Sequence, residues 1–185
     1  MTNVGFLTRL SHRITSLRHD QRGASAVEFA MLLPLMLTLY LGAVEVSSAV
    51  SIHRKVTLTA RATADLASQV TGINNADMTN MLNAAKAVIA PYPEGPLKVT
   101  VSAINIDANG VAKVAWSDTL GGTARAVNST VSLPSALNTP NSQLIWSEVY
   151  YTYTPTIGYV VTGALNLFDQ IYMRPRLSET VNRTT

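Results

Sequence analysis

Residues 22–44 read RGASAVEFAMLLPLMLTLYLGAV, and this stretch decides the fold. Positions 29–44 carry no charge, and the small and apolar residues at 24–27 extend the run toward the amino terminus. A helix of this length and composition can cross a bilayer if Glu28 and Glu45 lie near its two ends. An ionisable side chain at that depth is costly without a partner, so Glu28 is a candidate functional residue.

The residues before this helix are basic. Residues 1–23 carry four arginines and one aspartate, and the rest of the chain has equal numbers of basic and acidic residues. The overall net charge of +3 therefore describes the leader, and no nucleic-acid partner is expected. An excess of arginine ahead of an apolar helix is typical of a segment that stays in the cytoplasm.

The order of Gly23, four small or apolar residues, Glu28, Phe29 and an apolar helix resembles the cleavage motif of type IV prepilins in its Flp/Tad form. The string RGASAVEFAMLLPLML is similar to the start of TadE-like proteins, which are minor pseudopilins of the tight-adherence (Tad) pilus machinery. The resemblance implies that a membrane-embedded aspartyl prepilin peptidase cuts after Gly23. Ala24 then becomes the new amino terminus, and Glu28 becomes the fifth mature residue.

The residue types of this motif suit that chemistry. A glycine beside the scissile bond can adopt the extended backbone that a protease cleft requires at no steric cost. Cleavage exposes an amine at Ala24, about one helical turn from Glu28. By the resemblance, the carboxylate pairs with the amine of a neighbouring subunit, because either charge alone is costly in a low dielectric. Pro34 lies inside the helix and predicts a kink or a loosened turn.

Two other interpretations of the amino-terminal region remain open. In the first, Glu28 marks the interfacial end of an ordinary membrane anchor that keeps its leader, although this leaves Gly23 unexplained. In the second, the small residues at 47–49 form a signal-peptidase site and the chain is secreted. Basic residues at 53–55 and at Arg61 follow the span, so the charge asymmetry is weak and orientation rests mainly on the motif.

The predicted fold class is α+β, with a long N-terminal transmembrane helix that continues into a pilin-like domain with a small antiparallel sheet. Three parts are expected: a basic cytoplasmic leader over 1–23, a transmembrane helix over 24–50, and an extracytoplasmic domain over 51–185. The chain has no cysteine, so packing rather than disulfides must hold this domain together.

Periodicity and turn residues divide the domain further. Helical spacing continues the first helix to Val70, and residues 74–77 offer N-cap chemistry for a second helix. The Asn109-Gly110 pair predicts a hairpin, and Pro175 places the last strand at a sheet edge. The predicted elements are a second helix over 76–90, strands over 97–106, 111–116, 144–153 and 170–177, a long surface excursion over 120–143 with a short helix at 135–137, and a short helix or irregular crossover over 156–169.

Catalytic and metal-binding patterns are missing from the sequence. His53 is the one histidine outside the leader, the carboxylates are scattered singly, and neither G-x-S-x-G nor a Walker A sequence occurs. The sequence therefore predicts a protein that is not an enzyme, with no cofactor and no metal site. A secreted hydrolase is the class with the least support.

Aromatic residues cluster near the carboxyl end of the chain. Exposed, this cluster offers a surface for a partner subunit or a glycan; buried, it contributes core and cross-strand packing, which we prefer. Its members are Trp146, Tyr150, Tyr151, Tyr153 and Tyr159.

The function implied by the resemblance is that of a minor pseudopilin needed for assembly or priming of a Flp/Tad-type pilus, in adhesion and biofilm formation. The alternative is an uncleaved bitopic inner-membrane anchor with an extracytoplasmic binding domain. The implied partners are the prepilin peptidase, the major Flp pilin, a TadF-like subunit, the inner-membrane Tad assembly platform and the lipid bilayer. The implied location is the bacterial inner membrane, with a cytoplasmic amino terminus and a periplasmic domain, and incorporation in the pilus as a further possibility.

Overall fold

The computed structural model of the protein describes residues 22–155, 158 and 162–184. The long helix α1 spans Arg22–Ser68 without interruption, which confirms the predicted helix. The chain divides between Val44 and Glu45 into two compact units, and α1 contributes residues to both. The predicted limits at residues 23 and 50 stay predictions.

The first unit, in its described part, consists of the first half of α1. Large apolar side chains are exposed all around this part of the helix. Within the described residues, α1 is the one helix long and apolar enough to cross a membrane, and just 6% of its most apolar 18 residues is buried. A core helix of a soluble protein buries most of such a segment, so α1 is a candidate membrane span.

The second unit contains the remainder of α1, helix α2 and a set of strands. Helix α2 spans Asn75–Ile89, within one residue of its predicted limits. A capping box begins it: the Asn74 side chain accepts a hydrogen bond from the Asp77 amide at 2.9 Å, and the Asp77 carboxylate accepts one from the Asn74 amide at 3.3 Å. The described strands are β1 (Gly72–Ile73), β2 (Leu97–Ile106), β3 (Ala112–Leu120), β4 (Ser142–Tyr153), β5 (Leu165–Met173) and β6 (Asn182–Arg183).

Four of these strands form an antiparallel sheet in the order β3-β2-β4-β5. The predicted hairpin joins β2 to β3, with Gly110 at a φ of +79° and the Asp107 carboxylate accepting from the amides of Asn109 and Val111. Strands β1 and β6 form a separate two-stranded parallel pair, which the sequence did not predict.

The main core lies between the sheet and the second half of α1. Alternate residues of β2 and β4 face it, and α1 contributes a stripe with no exposed surface, Val56, Ala60, Ala64 and Ala67. Small side chains at three of these positions let the helix lie close to the sheet. The stripe therefore belongs to the protein's own core.

A smaller core covers part of the other face of the sheet. A bulge at Ala115 lets Trp116 face α1 while Val114 faces away from it. Side chains at 131–137, including those of a 3₁₀ turn at Ser135–Leu137, pack on this outer face. The predicted excursion is thus a cover for the sheet as well as a surface loop.

The carboxyl-terminal strand differs from the prediction. Strand β5 spans Leu165–Met173, so the predicted crossover is wrong for residues 165–169, and the predicted strand over 170–177 is shifted. The strand holds an acidic residue in its middle, Asp169, whose carboxylate accepts a hydrogen bond from the Thr57 hydroxyl of α1. This partner lies on a helix distant in sequence, so local pattern does not reveal it. The edge position is confirmed, although Pro175 lies beyond the strand. Residues 156, 157 and 159–161 of the predicted crossover lie outside the described part.

Candidate functional site

The amino-terminal motif lies in the first turns of α1. Gly23, Ala24, Glu28 and Phe29 are all exposed in the single chain. A Cβ atom placed on Gly23 meets no atom within 4 Å, so the described fold does not require glycine at this position. Glycine costs about 1 kcal/mol relative to alanine in a helix interior, and less in the first turn, where Gly23 lies. Packing among the described residues therefore does not account for glycine at this position.

The expected scissile bond, between Gly23 and Ala24, is helical here and not extended. The first amides of a helix have no acceptor within it, so its first turn opens at low cost. Gly23 lowers that cost further, because its unfolded backbone has more freedom. The local structure is therefore compatible with a peptide that unwinds by one turn to enter a protease cleft.

Glu28 lies on the same face of α1 as Ala24, since residues four apart are neighbours on a helix. Its carboxylate forms no ion pair within the described residues. Helix α1 continues through Pro34, whose carbonyl accepts a hydrogen bond from the Thr38 hydroxyl at 2.8 Å. A proline in this place leaves the carbonyl of residue 30 without its usual donor. The kink and the roles of the motif residues stay predictions.

A second group of side chains lies on the outer face of the sheet, the face turned away from α1. The Trp146 and Tyr172 rings stack there with centroids 5.2 Å apart. The Arg125 guanidinium lies over Trp146, 4.0 Å from the ring centroid, and donates to both Glu148 oxygens at 2.7–3.1 Å. Trp146 donates from its indole nitrogen to the Gln170 side-chain oxygen at 3.1 Å.

These contacts fix the loop after β3 onto the sheet. The Glu148 side chain is 7% exposed, whereas that of Arg125 is 32% exposed. The Arg125 amide also donates to the Ser117 hydroxyl at 3.0 Å. Burial raises the pKa of the Tyr172 hydroxyl; Glu148 raises this pKa further, and Arg125 lowers it. Because the guanidinium and the carboxylate neutralise each other, the pair is a structural clamp.

The aromatic cluster divides between the two interpretations. Trp146 and Tyr151 are buried, as packing requires, and Tyr153 is partly buried. Tyr150 is exposed, whereas Tyr159 lies outside the described residues. Packing is therefore confirmed for part of the cluster, and Tyr150 is available at the surface.

Sequence reasoning missed the partners on this outer face. Alternation along β4 places residues 146, 148, 150 and 152 on one side, but which residues of other strands oppose them depends on register. Arg125 carried no signal, since it lies in a loop with no period. Across the described residues, no group of three or more histidine, aspartate or glutamate side chains could hold a metal ion.

Comparison with known proteins bears on α1. No curated protein and no solved structure matches the chain. The family model of TadE-like proteins matches residues 23–65. The match begins at the motif glycine and ends inside α1, so it covers the candidate membrane span and leaves the sheet outside. It suggests a role related to the Tad pilus and association with pilus components. Residues 23–65 are accordingly a segment of the TadE-like family, as the motif predicted.

Proposed function

We propose that the protein is a minor pseudopilin that takes part in assembly or priming of a Flp/Tad-type pilus, and that it is not an enzyme. One observation carries the proposal. Gly23 lies in α1 at a position where the described fold does not require glycine, just ahead of an apolar stretch whose large side chains are exposed on all sides. Prepilin peptidase cleavage after Gly23 accounts for the first feature, and insertion among lipids and other pilin helices accounts for the second.

The proposed location is the bacterial inner membrane, crossed once by α1. The leader lies in the cytoplasm, an orientation that rests mainly on the cleavage motif and agrees with the four arginines of the leader. The second unit lies in the periplasm, and the protein enters or primes the filament from there. The proposed partners are the major Flp pilin, a TadF-like subunit and the Tad assembly platform.

Glu28 is the proposed assembly residue. After cleavage, the Cα atoms of Ala24, which carries the new amine, and of Glu28 are about 6 Å apart along the helix axis. Both charges are costly at the edge of the hydrocarbon region unless they are paired. The amine of one subunit and the Glu28 carboxylate of the next neutralise each other when the helices pack in the correct stagger, and this sets the register of assembly.

Intact mass of the full-length protein tests the processing step. The protein is extracted from membranes of cells with and without a co-expressed Flp-type prepilin peptidase. We expect a peptidase-dependent species that begins at Ala24. We expect Gly23→Val to block this product, because it places a branched side chain at the point where the cleft otherwise meets a residue without a side chain. The matched control is Gly5→Val, which changes the other leader glycine and leaves processing intact.

The other possible outcomes of the mass measurement would contradict the proposal, and each indicates a different class of protein. A full-length species in the presence of active peptidase contradicts processing and indicates an uncleaved anchor. A species that begins near residue 50 indicates signal-peptidase cleavage and secretion. Processing that continues in Gly23→Val refutes the assigned site.

A further inference from the structure

The outer face of the sheet presents its side chains in rows across neighbouring strands. Trp146 and Tyr172 are direct partners in the register, and we call them the closed row, because Arg125 covers Trp146. Four residues further along β4, Tyr150 is the direct partner of Lys98 on β2 and of Phe168 on β5. We call Lys98, Tyr150 and Phe168 the open row.

The open row has an aromatic pair without a cover. The rings of Tyr150 and Phe168 have centroids 4.4 Å apart and are tilted by 31°. Tyr150 is 44% exposed and Phe168 37% exposed, in contrast to the buried Trp146. Two aromatic residues side by side on an exposed strand face are costly to hydrate, so their exposure indicates a surface that becomes covered.

A cavity of about 510 Å³ lies over this part of the sheet, within the range of roughly 300–1,000 Å³ that is typical of ligand sites. One wall is the loop after β3, which needs glycine to lie so close to the sheet. A Cβ on Gly122 would come within 2.9 Å of the Thr119 hydroxyl, and one on Gly121 within 3.0 Å of the Leu97 carbonyl. The cavity therefore has a shape that the backbone defines.

Neutral hydrogen-bonding groups line the far side of the cavity. Thr152 donates from its hydroxyl to the Asn166 side-chain oxygen at 3.2 Å, which fixes the orientation of the amide. Among the described residues, no side-chain hydrogen bond uses the Asn166 amide nitrogen, which leaves its two hydrogens for a ligand. Thr100 adds a hydroxyl to the lining. These groups suit a ligand with several hydroxyls.

The charge of the cavity is positive. Arg125 and Glu148 are both in its lining but neutralise each other at 2.7 Å. Lys98 is exposed, and within the described residues its ammonium has no ion-pair partner. A single free cation beside an aromatic platform favours an anionic ligand with one flat apolar face.

We propose that the open row binds an acidic glycan. The apolar face of one sugar ring lies against Tyr150, which lines the cavity and is itself in contact with the Phe168 ring outside the lining. The carboxylate of the sugar pairs with Lys98 at the neighbouring register position. Asn166 and Thr152 accept or donate hydrogen bonds at the ring hydroxyls. The site lies entirely in the second unit, so it does not depend on cleavage after Gly23.

Calorimetric titration of the full chain in lipid nanodiscs tests this proposal. The probe is tetragalacturonate, and the matched probe is its methyl ester, which keeps the rings and removes the carboxylate charges. We expect saturable binding of the acid, with the ester about tenfold weaker. Tyr150→Ala weakens binding of the acid about tenfold, whereas Tyr150→Phe keeps the ring and binds the acid normally. Lys98→Gln lowers the affinity for the acid to that which the wild-type protein has for the ester.

The control variant is Lys113→Gln, because Lys113 is an exposed lysine on the same sheet outside the cavity lining. Tryptophan fluorescence of each variant checks that the sheet is intact. Absence of saturable binding by a folded wild-type chain overturns the proposal. Equal loss in Lys113→Gln and Lys98→Gln indicates general charge attraction and also overturns it, as does unchanged binding by Tyr150→Ala.

Discussion

Replacing Arg125 by methionine tests the clamp that holds the loop after β3. The substitution keeps most of the apolar stem but removes the guanidinium, which donates three hydrogen bonds to Glu148 and lies 4.0 Å from the centre of the Trp146 ring. The Glu148 carboxylate is then left without a cation in a site where its side chain is 7% exposed.

The structure sets the size of the expected effect. Removing one member of a buried ion pair costs about 3–5 kcal/mol, because an uncompensated charge stays behind. The Arg125 side chain is 32% exposed, so water enters its place and partly solvates the carboxylate. We therefore expect a loss of about 2–3 kcal/mol in the free energy of unfolding. Replacing Glu148 by methionine as well removes the stranded charge, and we expect the double variant to recover more than half of that loss.

Denaturant unfolding of the full chain in detergent micelles measures this loss. The chain has two tryptophans, Trp116 and Trp146, and both are buried in the sheet domain, so their fluorescence reports its unfolding. The matched control is Arg176→Met. Arg176 forms an equally short ion pair, at 2.6 Å, but its side chain is 57% exposed. Such a surface pair contributes about 0–1 kcal/mol. If Arg125→Met lowers the free energy of unfolding by no more than Arg176→Met does, the clamp is refuted.

Three further outcomes are expected. Glu28→Ala should leave membrane insertion intact but reduce the number of surface pili, counted by electron microscopy, about tenfold, because it removes the partner of the Ala24 amine. The control variant Glu179→Ala should keep the normal number of pili. Normal piliation in Glu28→Ala would contradict the pairing. Arg183→Ala removes two hydrogen bonds to the Asp118 carboxylate, so hydrogen exchange at β6 should accelerate; unchanged exchange would argue against that anchor. Burial raises the pKa of Tyr151 above its ordinary value of 10.0, so its contribution to stability is complete below pH 10.0 and declines above it. Tyr151→Phe should lessen that alkaline loss in denaturant titrations, and an identical pH profile would contradict it.

The long helix and the first hairpin were predictable because their signals are local. The apolar run after Glu28 allows little besides a helix, and the Asn109-Gly110 pair between two alternating segments specifies a tight turn. Likewise, the cap at Asn74 depends on residues three positions apart. In each case the residues that determine the element lie within it or next to it.

The end of the chain was not predictable, because its contacts are distant in sequence. The Trp116 indole donates to the Val181 carbonyl at 2.8 Å, and the Val181 amide donates to the Gln143 side chain at 2.6 Å. These bonds place the tail against the sheet and allow β6 to pair with β1. Neither short strand has a pattern of its own, so only the assembled domain reveals them.

The two candidate sites differ in the same way. The amino-terminal motif is a linear arrangement, so its spacing is complete in the sequence. The open row exists only once β2, β4 and β5 are in register, since a slip of one residue would turn Tyr150 toward the core. A site that depends on strand register can be recognised only once the structure is known.

Gly122 and Gly23 differ in their surroundings, and this difference supports the proposed processing at the amino terminus. Gly122 has a structural reason, because a side chain there would collide with the Thr119 hydroxyl at 2.9 Å. Gly23 has open space around it and a helical backbone that alanine can also adopt. Packing within the described chain therefore explains the first glycine and not the second. Recognition by a peptidase that unwinds this turn, as proposed above, would account for Gly23.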